Sequence, residues 1–173
     1  VGIRPLKNPD VIAKACELSG IKAVMVGPYT RKEADKTWKG KGFEWFLPPK
    51  DILDNDNVLL TGQLDAKELL AAFDAATIYV NSSLYETFGI AVYEAASAGL
   101  PLCLPDYGAF DAFRGKALFH KHKDFKKLSD NIKKYLNNKE LAESNAKKSQ
   151  AIAKKLDYSL IRKEYERFYG MCI

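Results

Sequence analysis

An open, all-parallel α/β sheet with helices on both faces is the fold class this sequence predicts, on three observations. Apolar runs of about four to six residues, bounded by Gly, Pro or Asn, recur through the first two thirds of the 173-residue chain. Segments with apolar residues at helical spacing lie between them. The runs are apolar almost throughout rather than alternating, as strands buried on both faces are. Right-handed crossovers then place helices above and below the sheet.

The chain opens on VGIRPLKNPD. Val1-Gly2 has the look of a strand's last two residues, so an upstream segment is expected to begin the sheet. Asn8 or Asp10 is placed to cap a helix over 10–19. KAVMVG (22–27) reads as a strand. The polar stretch 32–57 carries Phe43, Trp45 and Phe46 ahead of Pro48-Pro49. It is expected to be a helix and then a loop, with the aromatic group covering the core. VLLTG (58–62) is the next strand, followed by a helix over 66–75 and the strand IYVNSS (78–83). A short helix over 90–98 leads into the strand LPLCLP (100–105), then ALFH (117–120) and a helix over 125–136. Strands stop there. Two amphipathic helices, 141–156 and 160–169, joined near Asp157, are expected to pack on or across a single domain spanning 1–173.

Composition excludes several classes. An apolar share of 47% and a charged share of 28% are those of a globular domain rather than a disordered chain. No apolar run approaches the roughly 20 residues of a membrane span, and no signal-peptide pattern opens the chain. Cys16, Cys103 and Cys172 are far apart and contain no C-x-x-C pair, which argues against a disulfide framework or a zinc site. The net charge of +5 is carried largely by lysines on helical segments after residue 116, which read as solvated helix faces. His120 and His122, the only histidines, read as a solvated strand end rather than a metal pair.

The segment YETFGIAVYEAASAGLP (85–101) carries the chemistry. In an open parallel sheet, ligands bind beyond the carboxyl ends of the strands. IYVNSS ends near Ser83, so Glu86 falls on the rim of that crevice. The helix starting near Gly89 turns the N–H groups of Phe88 to Ala91 towards it, a ready anion site. Gly89 would let a ligand approach the backbone. Glu94 lies on the side of Ile90, Ala91 and Ala98, in a helix that looks built for burial. A carboxylate buried there needs a cation or donors, and a ribose diol would supply two hydroxyls. A structural ion pair or a plain exposed glutamate is the bland alternative.

These residues resemble a known family. Glu86 and Glu94, eight positions apart within ETFGIAVYEAASAGLP, are similar to the E-x7-E segment of retaining, nucleotide-sugar-dependent glycosyltransferases of family 4. The resemblance covers nearly the whole chain: VGIRPLKNP matches an opening loop, VMVGPY and VLLTGQLD two strand ends, and YGAF (107–110) a later glycine loop. It implies the Rossmann-like C-terminal lobe of a GT-B fold. It also implies that Glu86 acts on the donor sugar as the catalytic carboxylate and that Glu94 binds the ribose. The amides of Phe88, Gly89, Ile90 and Ala91, beside Thr87, would hold the diphosphate, with Arg4 and Lys7 neutralising it. Gly27, Gln63 and Leu64 would line the nucleotide site. Arg4 and Lys7 are closer together than the family usually spaces them, and Asp111 stands near where a glutamate often follows the later glycine loop.

The implied substrate is a nucleoside diphosphate sugar, with no metal and no other cofactor. A glycan, lipid or protein acceptor would be held by an N-terminal lobe that these residues do not contain. No nucleic acid is expected, and the expected location is cytoplasmic, either free or peripheral on the cytoplasmic face of a membrane through the other lobe. Another GT-B enzyme, such as an epimerase or phosphorylase, is the rival within the fold. A non-catalytic basic module binding a protein or polyanion is the rival outside it. Among weaker signals, Tyr29 after Gly27-Pro28 is placed to touch the phosphate or base or to pack in its loop, and Cys103 reads as a buried strand residue.

Overall fold

A computed structural model describes residues 5–27, Ile52 and 55–170. Arg4, Tyr29, the aromatic group at 43–46 and Cys172 lie outside the described residues. In chain order run α1 (Pro9–Ser19), β1 (Ala23–Met25), β2 (Val58–Leu60), α2 (Ala66–Ala75), β3 (Tyr79–Val80) and α3 (Ile90–Ser97). They are followed by β4 (Leu102–Pro105), β5 (Leu118–His120), α4 (Phe125–Asn137), α5 (Lys139–Ala153) and α6 (Tyr158–Gly170). Three 3-10 turns, Pro5–Lys7, Gly108–Phe113 and Lys154–Leu156, complete the described elements.

Local chemistry sets the helix ends. Pro9 takes the first turn of α1, where a missing N–H costs nothing, and Gly20 ends it in a left-handed conformation at φ 69°. Asn8 is the N-cap, itself left-handed at φ 52°, but its side chain makes no capping bond. At α2, Asp65 and Glu68 form a reciprocal capping box. Asp124 caps α4 through Lys127 N at 2.9 Å, and Asn138 caps α5 through Leu141 N at 2.9 Å.

Every strand pairing is parallel, as expected. The described strands nevertheless form two sheets rather than one, β1–β2 and β3–β4–β5. Between β1 and β3 lies a cavity of about 440 Å³. One apolar cluster joins α1 and α4 to strands of both sheets, so the two sheets share a core layer. A second gathers α3, β4, the Gly108–Phe113 turn and Ala153 of α5. The middle strand β4 is buried on both sides: Cys103 points into the first cluster, Leu102 and Leu104 into the second. This is the alternation a central strand requires.

Two expectations need correction. The strands β1 and β2 alternate rather than being buried throughout, with Val24 and Leu59 each 58% exposed, because no described element covers their outer face. The terminal helices also behave differently from one another. Helix α5 is fixed to the body, with Asn145 Nδ2 donating to Tyr135 Oη at 3.0 Å, Tyr135 Oη to Leu102 O at 3.2 Å, and Gln150 Nε2 to Ser97 O at 2.9 Å. Helix α6 follows a break at Asp157, and its Leu160, Tyr165, Phe168 and Tyr169 stand exposed rather than packed on the lobe.

Candidate functional site

The carboxyl end of β3 runs into three buried polar residues, Asn81, Ser82 and Ser83. Each has a bonding task. Asn81 Oδ1 accepts from Ser83 N at 2.8 Å and makes a tight turn. Ser82 Oγ lies 2.9 Å from Lys7 O and 2.8 Å from Asn8 O, which fixes the Pro5–Lys7 turn against the strand end. Leu84 N donates to Leu6 O at 2.8 Å and repeats that link in the backbone. Behind Asn81 sits His120, whose ring nitrogens lie 3.1 Å from Asn81 O and 3.0 Å from Lys121 O.

Two of the predicted site residues meet on this scaffold. Lys7 Nζ forms an ion pair with Glu86 Oε1, and Ser83 Oγ donates to the same oxygen at 2.9 Å. Both side chains are largely but not fully shielded, at 23% and 14% exposed, so the pair stays open to an arriving ligand. Glu86 Oε2 carries neither of these bonds. Three residues later Gly89 starts α3 with φ 78°, and no side chain caps it. The first N–H groups of α3, at Ile90 and Ala91, therefore lack intrahelical partners and sit at the positive end of the helix.

Glu94 is exposed rather than buried. Helix α3 turns Val92, Ala95 and Ala96 into the core. Ile90, Ala91, Glu94 and Ala98 form the opposite stripe, with Ile90 67% exposed. The run is apolar on both sides but buried on one, so Glu94 opens with Ala91 and Lys7 onto the cavity between β1 and β3. No buried charge has to be compensated there.

Gly89 has a packing task as well. A Cβ there would lie 2.7 Å from Phe110 Cε1 and 3.2 Å from Cζ. The absent side chain makes room for a buried core ring as well as permitting the positive φ. Phe88 is partly exposed and stacks on Tyr93, with ring centroids 4.6 Å apart and planes 8° apart. Thr87 is exposed. Gly27, Gln63 and Leu64 stand at the ends of β1 and β2, where Gly27 N donates to Gly62 O at 3.3 Å. Among the described residues, no hydrogen bond or ion pair of Glu86 runs to any of these three.

Sequence reasoning missed the polar scaffold. The signal is the polar triplet closing IYVNSS, which in sequence reads only as a strand end. His120 is buried at 2% exposure, not solvated. His122 is exposed and stacks on Tyr107, with centroids 5.2 Å apart. The Tyr79 and Tyr107 hydroxyls are buried without hydrogen-bond partners among the described residues. Burial first, and then the Glu86 charge, pushes both phenols above their ordinary range, with Glu94 adding to the effect at Tyr79. Asp111, after the later glycine loop, pairs with Arg114 at 3.1 Å. Among the described residues no group of three His, Cys, Asp or Glu side chains is arranged to hold a metal ion, and no helix is long and apolar enough to cross a membrane.

The fold has many solved counterparts. Sucrose-phosphate synthase from Thermosynechococcus elongatus is similar over 98% of this chain and 43% of its own, with a TM-score of 0.75 and 21% identity. Anabaena HepE in complex with UDP is similar over 99% of this chain and 47% of its own, with a TM-score of 0.75 and 18% identity. The pneumococcal O-GlcNAc transferase GtfA in complex with UDP and GlcNAc is similar over 98% of this chain and 34% of its own, with a TM-score of 0.71 and 18% identity. The chain thus spans less than half the length of each. The architecture, parallel sheets flanked by helices, resembles the C-terminal lobe of GT-B glycosyltransferases. A search of the curated proteins finds no match. The sequence pattern of the family described as glycosyl transferases group 1 matches residues 2–154, most of the chain, and the chain belongs to that family.

Proposed function

We propose that this chain is the donor-binding lobe of a retaining glycosyltransferase of family 4, which moves a sugar from a nucleoside diphosphate sugar to an acceptor hydroxyl with the anomeric configuration kept. The observation that carries the reading is the Lys7–Glu86–Ser83 cluster at the end of β3, beside an uncapped helix start and with Glu94 on the open side of that helix. In this reading the ammonium of Lys7 and the N–H groups of Ile90 and Ala91 stabilise the diphosphate as it departs, which is the charge that develops in the transition state. Glu86 receives hydroxyls of the donor sugar, with Ser83 and Lys7 fixing its carboxylate. Glu94 takes the two ribose hydroxyls in bidentate fashion. The positive charge comes from this chain's own residues, without a metal. Two structurally similar proteins are described as complexes with UDP, which favours a uridine donor here.

One wall of a cleft cannot hold two substrates in register, so acceptor transfer is assigned to the protein that includes a second lobe. Calorimetric titration with UDP, uridine and inorganic diphosphate tests the proposal. Expected are binding of UDP and a loss of about tenfold in affinity on Glu94→Gln, a neutral acceptor making the weaker hydrogen bond. Unchanged UDP affinity in a folded Glu94→Gln protein would refute the ribose role. No nucleoside diphosphate binding by the unaltered protein, including its two-lobed form, would refute the donor site.

A further inference from the structure

The Glu86 carboxylate depends on a cation that a ligand can take. Its Oε1 accepts from Lys7 Nζ and Ser83 Oγ, and among the described residues no other cation pairs with it. The carboxylate is only 14% exposed. Without Lys7 it becomes a shielded charge held by one neutral hydroxyl, and such a charge needs a further donor.

Tyr107 has a donor to give. Its ring is half-buried, but its hydroxyl is fully enclosed and has no hydrogen-bond partner among the described residues. An enclosed hydroxyl without a partner costs stability in the free protein. Val80 pairs with Cys103, so the chain leaving β3 towards Glu86 and the chain leaving β4 into Tyr107 emerge side by side. His120 joins the two exits: its backbone O accepts from Asp106 N at 2.8 Å, and its Nε2 lies 3.1 Å from Asn81 O. Burial first, and then the Glu86 charge, raises the Tyr107 phenol, which agrees with that placement. The ring is held between Phe110 and His122, with centroids 5.2 Å away in each case. Asp106 and Asp111, before and after it in the loop, are both paired with Arg114. The hydroxyl is thus fixed in place with its hydrogen unspent. Tyr79 is the other buried phenol without a partner, but it lies inside β3, whereas Tyr107 and Glu86 both lie beyond their strand ends.

We propose that Tyr107 is a positioning residue for Glu86: when Lys7 is drawn to a diphosphate, the Tyr107 hydroxyl donates to the Glu86 carboxylate and keeps it in place. The identity of the ligand rests on the donor-binding reading above. The exchange of partners does not, because any loss of the Lys7 charge should cause it.

Lys7→Met tests the exchange with no ligand present, and Tyr107→Phe removes the hydroxyl while keeping the ring. With Lys7 intact, Tyr107→Phe should leave the urea midpoint unchanged or raise it, because the hydroxyl there has no partner. In the Lys7→Met protein it should lower the folding equilibrium constant about tenfold, the loss of a hydrogen bond to a charged group. With tyrosine labelled at 13Cζ, the Tyr107 resonance is the one absent from the Tyr107→Phe protein. It should move downfield in Lys7→Met, and in the unaltered protein on addition of UDP. Equal effects of Tyr107→Phe in the two backgrounds, or a resonance that stays in place in Lys7→Met, would overturn the proposal. Coupling of Lys7→Met to Tyr79→Phe instead would assign the exchange to the other phenol and also overturn it. UDP that binds by calorimetry without moving the resonance would do the same. If UDP does not bind, the donor reading fails, and the Lys7→Met comparison still decides the role of Tyr107. Should Lys7→Met not fold, Lys7→Gln carries the same comparison.

Discussion

Replacing Gly89 with alanine separates packing from ligand approach at the start of α3. The new Cβ would lie 2.7 Å from Phe110 Cε1 and 3.2 Å from Cζ, in a ring that is fully buried. Two terms add. Holding a non-glycine residue at φ 78° costs about 1–2 kcal/mol. Forcing a methyl into a filled core costs about 1–3 kcal/mol. The sum, about 2–5 kcal/mol, corresponds to a fall in Tm of roughly 5–15 °C for a domain of this size. Gly20→Ala is the internal control, because Gly20 has nearly the same φ, 69°, but open space where its Cβ would stand. It should show the conformational term alone. Thermal unfolding followed by circular dichroism measures both. Phe110→Leu removes the two atoms that the methyl would meet, so the double variant should recover about 1–2 kcal/mol relative to the sum of the singles. If Gly89→Ala costs no more than Gly20→Ala, or the double-mutant coupling is absent, then Phe110 does not occupy that space and the packing account fails.

Other outcomes follow from the same geometry. Ser82→Ala should destabilise the fold by about 1 kcal/mol in urea titration, because its hydroxyl lies against the carbonyls of both Lys7 and Asn8. His120→Leu should cost about 1–3 kcal/mol, because it leaves the buried Asn81 carbonyl without its ring partner; an unchanged urea midpoint would mean His120 is not a brace. Burial pushes the Cys16 thiol up to about 11 and raises Cys103 further. In a Cys172→Ser protein at pH 8, where roughly one Cys16 in a thousand is then thiolate, a thiol reagent should modify neither cysteine until denaturant is added. Rapid native-state labelling would show that the cluster around Cys16 opens.

The elements were legible because their local signals agree with the fold. The apolar runs at 58–62 and 100–105 each specify one structure in one window, and each holds a strand where one is expected. The position of Glu86, three residues past Ser83, likewise put its carboxylate beside the end of β3. What could not be read from a window was which side of an element meets the core. Helix α3 is apolar all round, so its sequence could not show that Val92, Ala95 and Ala96 face inward while Glu94 faces out. The packing task of Gly89 was not legible either, because its partner Phe110 lies twenty-one positions later. His120 looked solvated because its neighbours are lysines, yet its partner Asn81 belongs to another strand. Long-range pairing carries information that periodicity does not.

The link between Lys7 and Glu86 spans 79 residues of chain. Closing a flexible loop of that length costs about 4 kcal/mol in chain entropy beyond a constant, and no local contact offsets it in advance. Contacts of such separation form late and slow folding. A nascent chain that has not yet reached Glu86 cannot organise the Lys7 turn at all, since Ser82, Ser83 and Leu84 supply its fastenings. The crevice is therefore a product of finished assembly, and occupancy by a ligand counts only those molecules in which the first half of the chain has folded to completion.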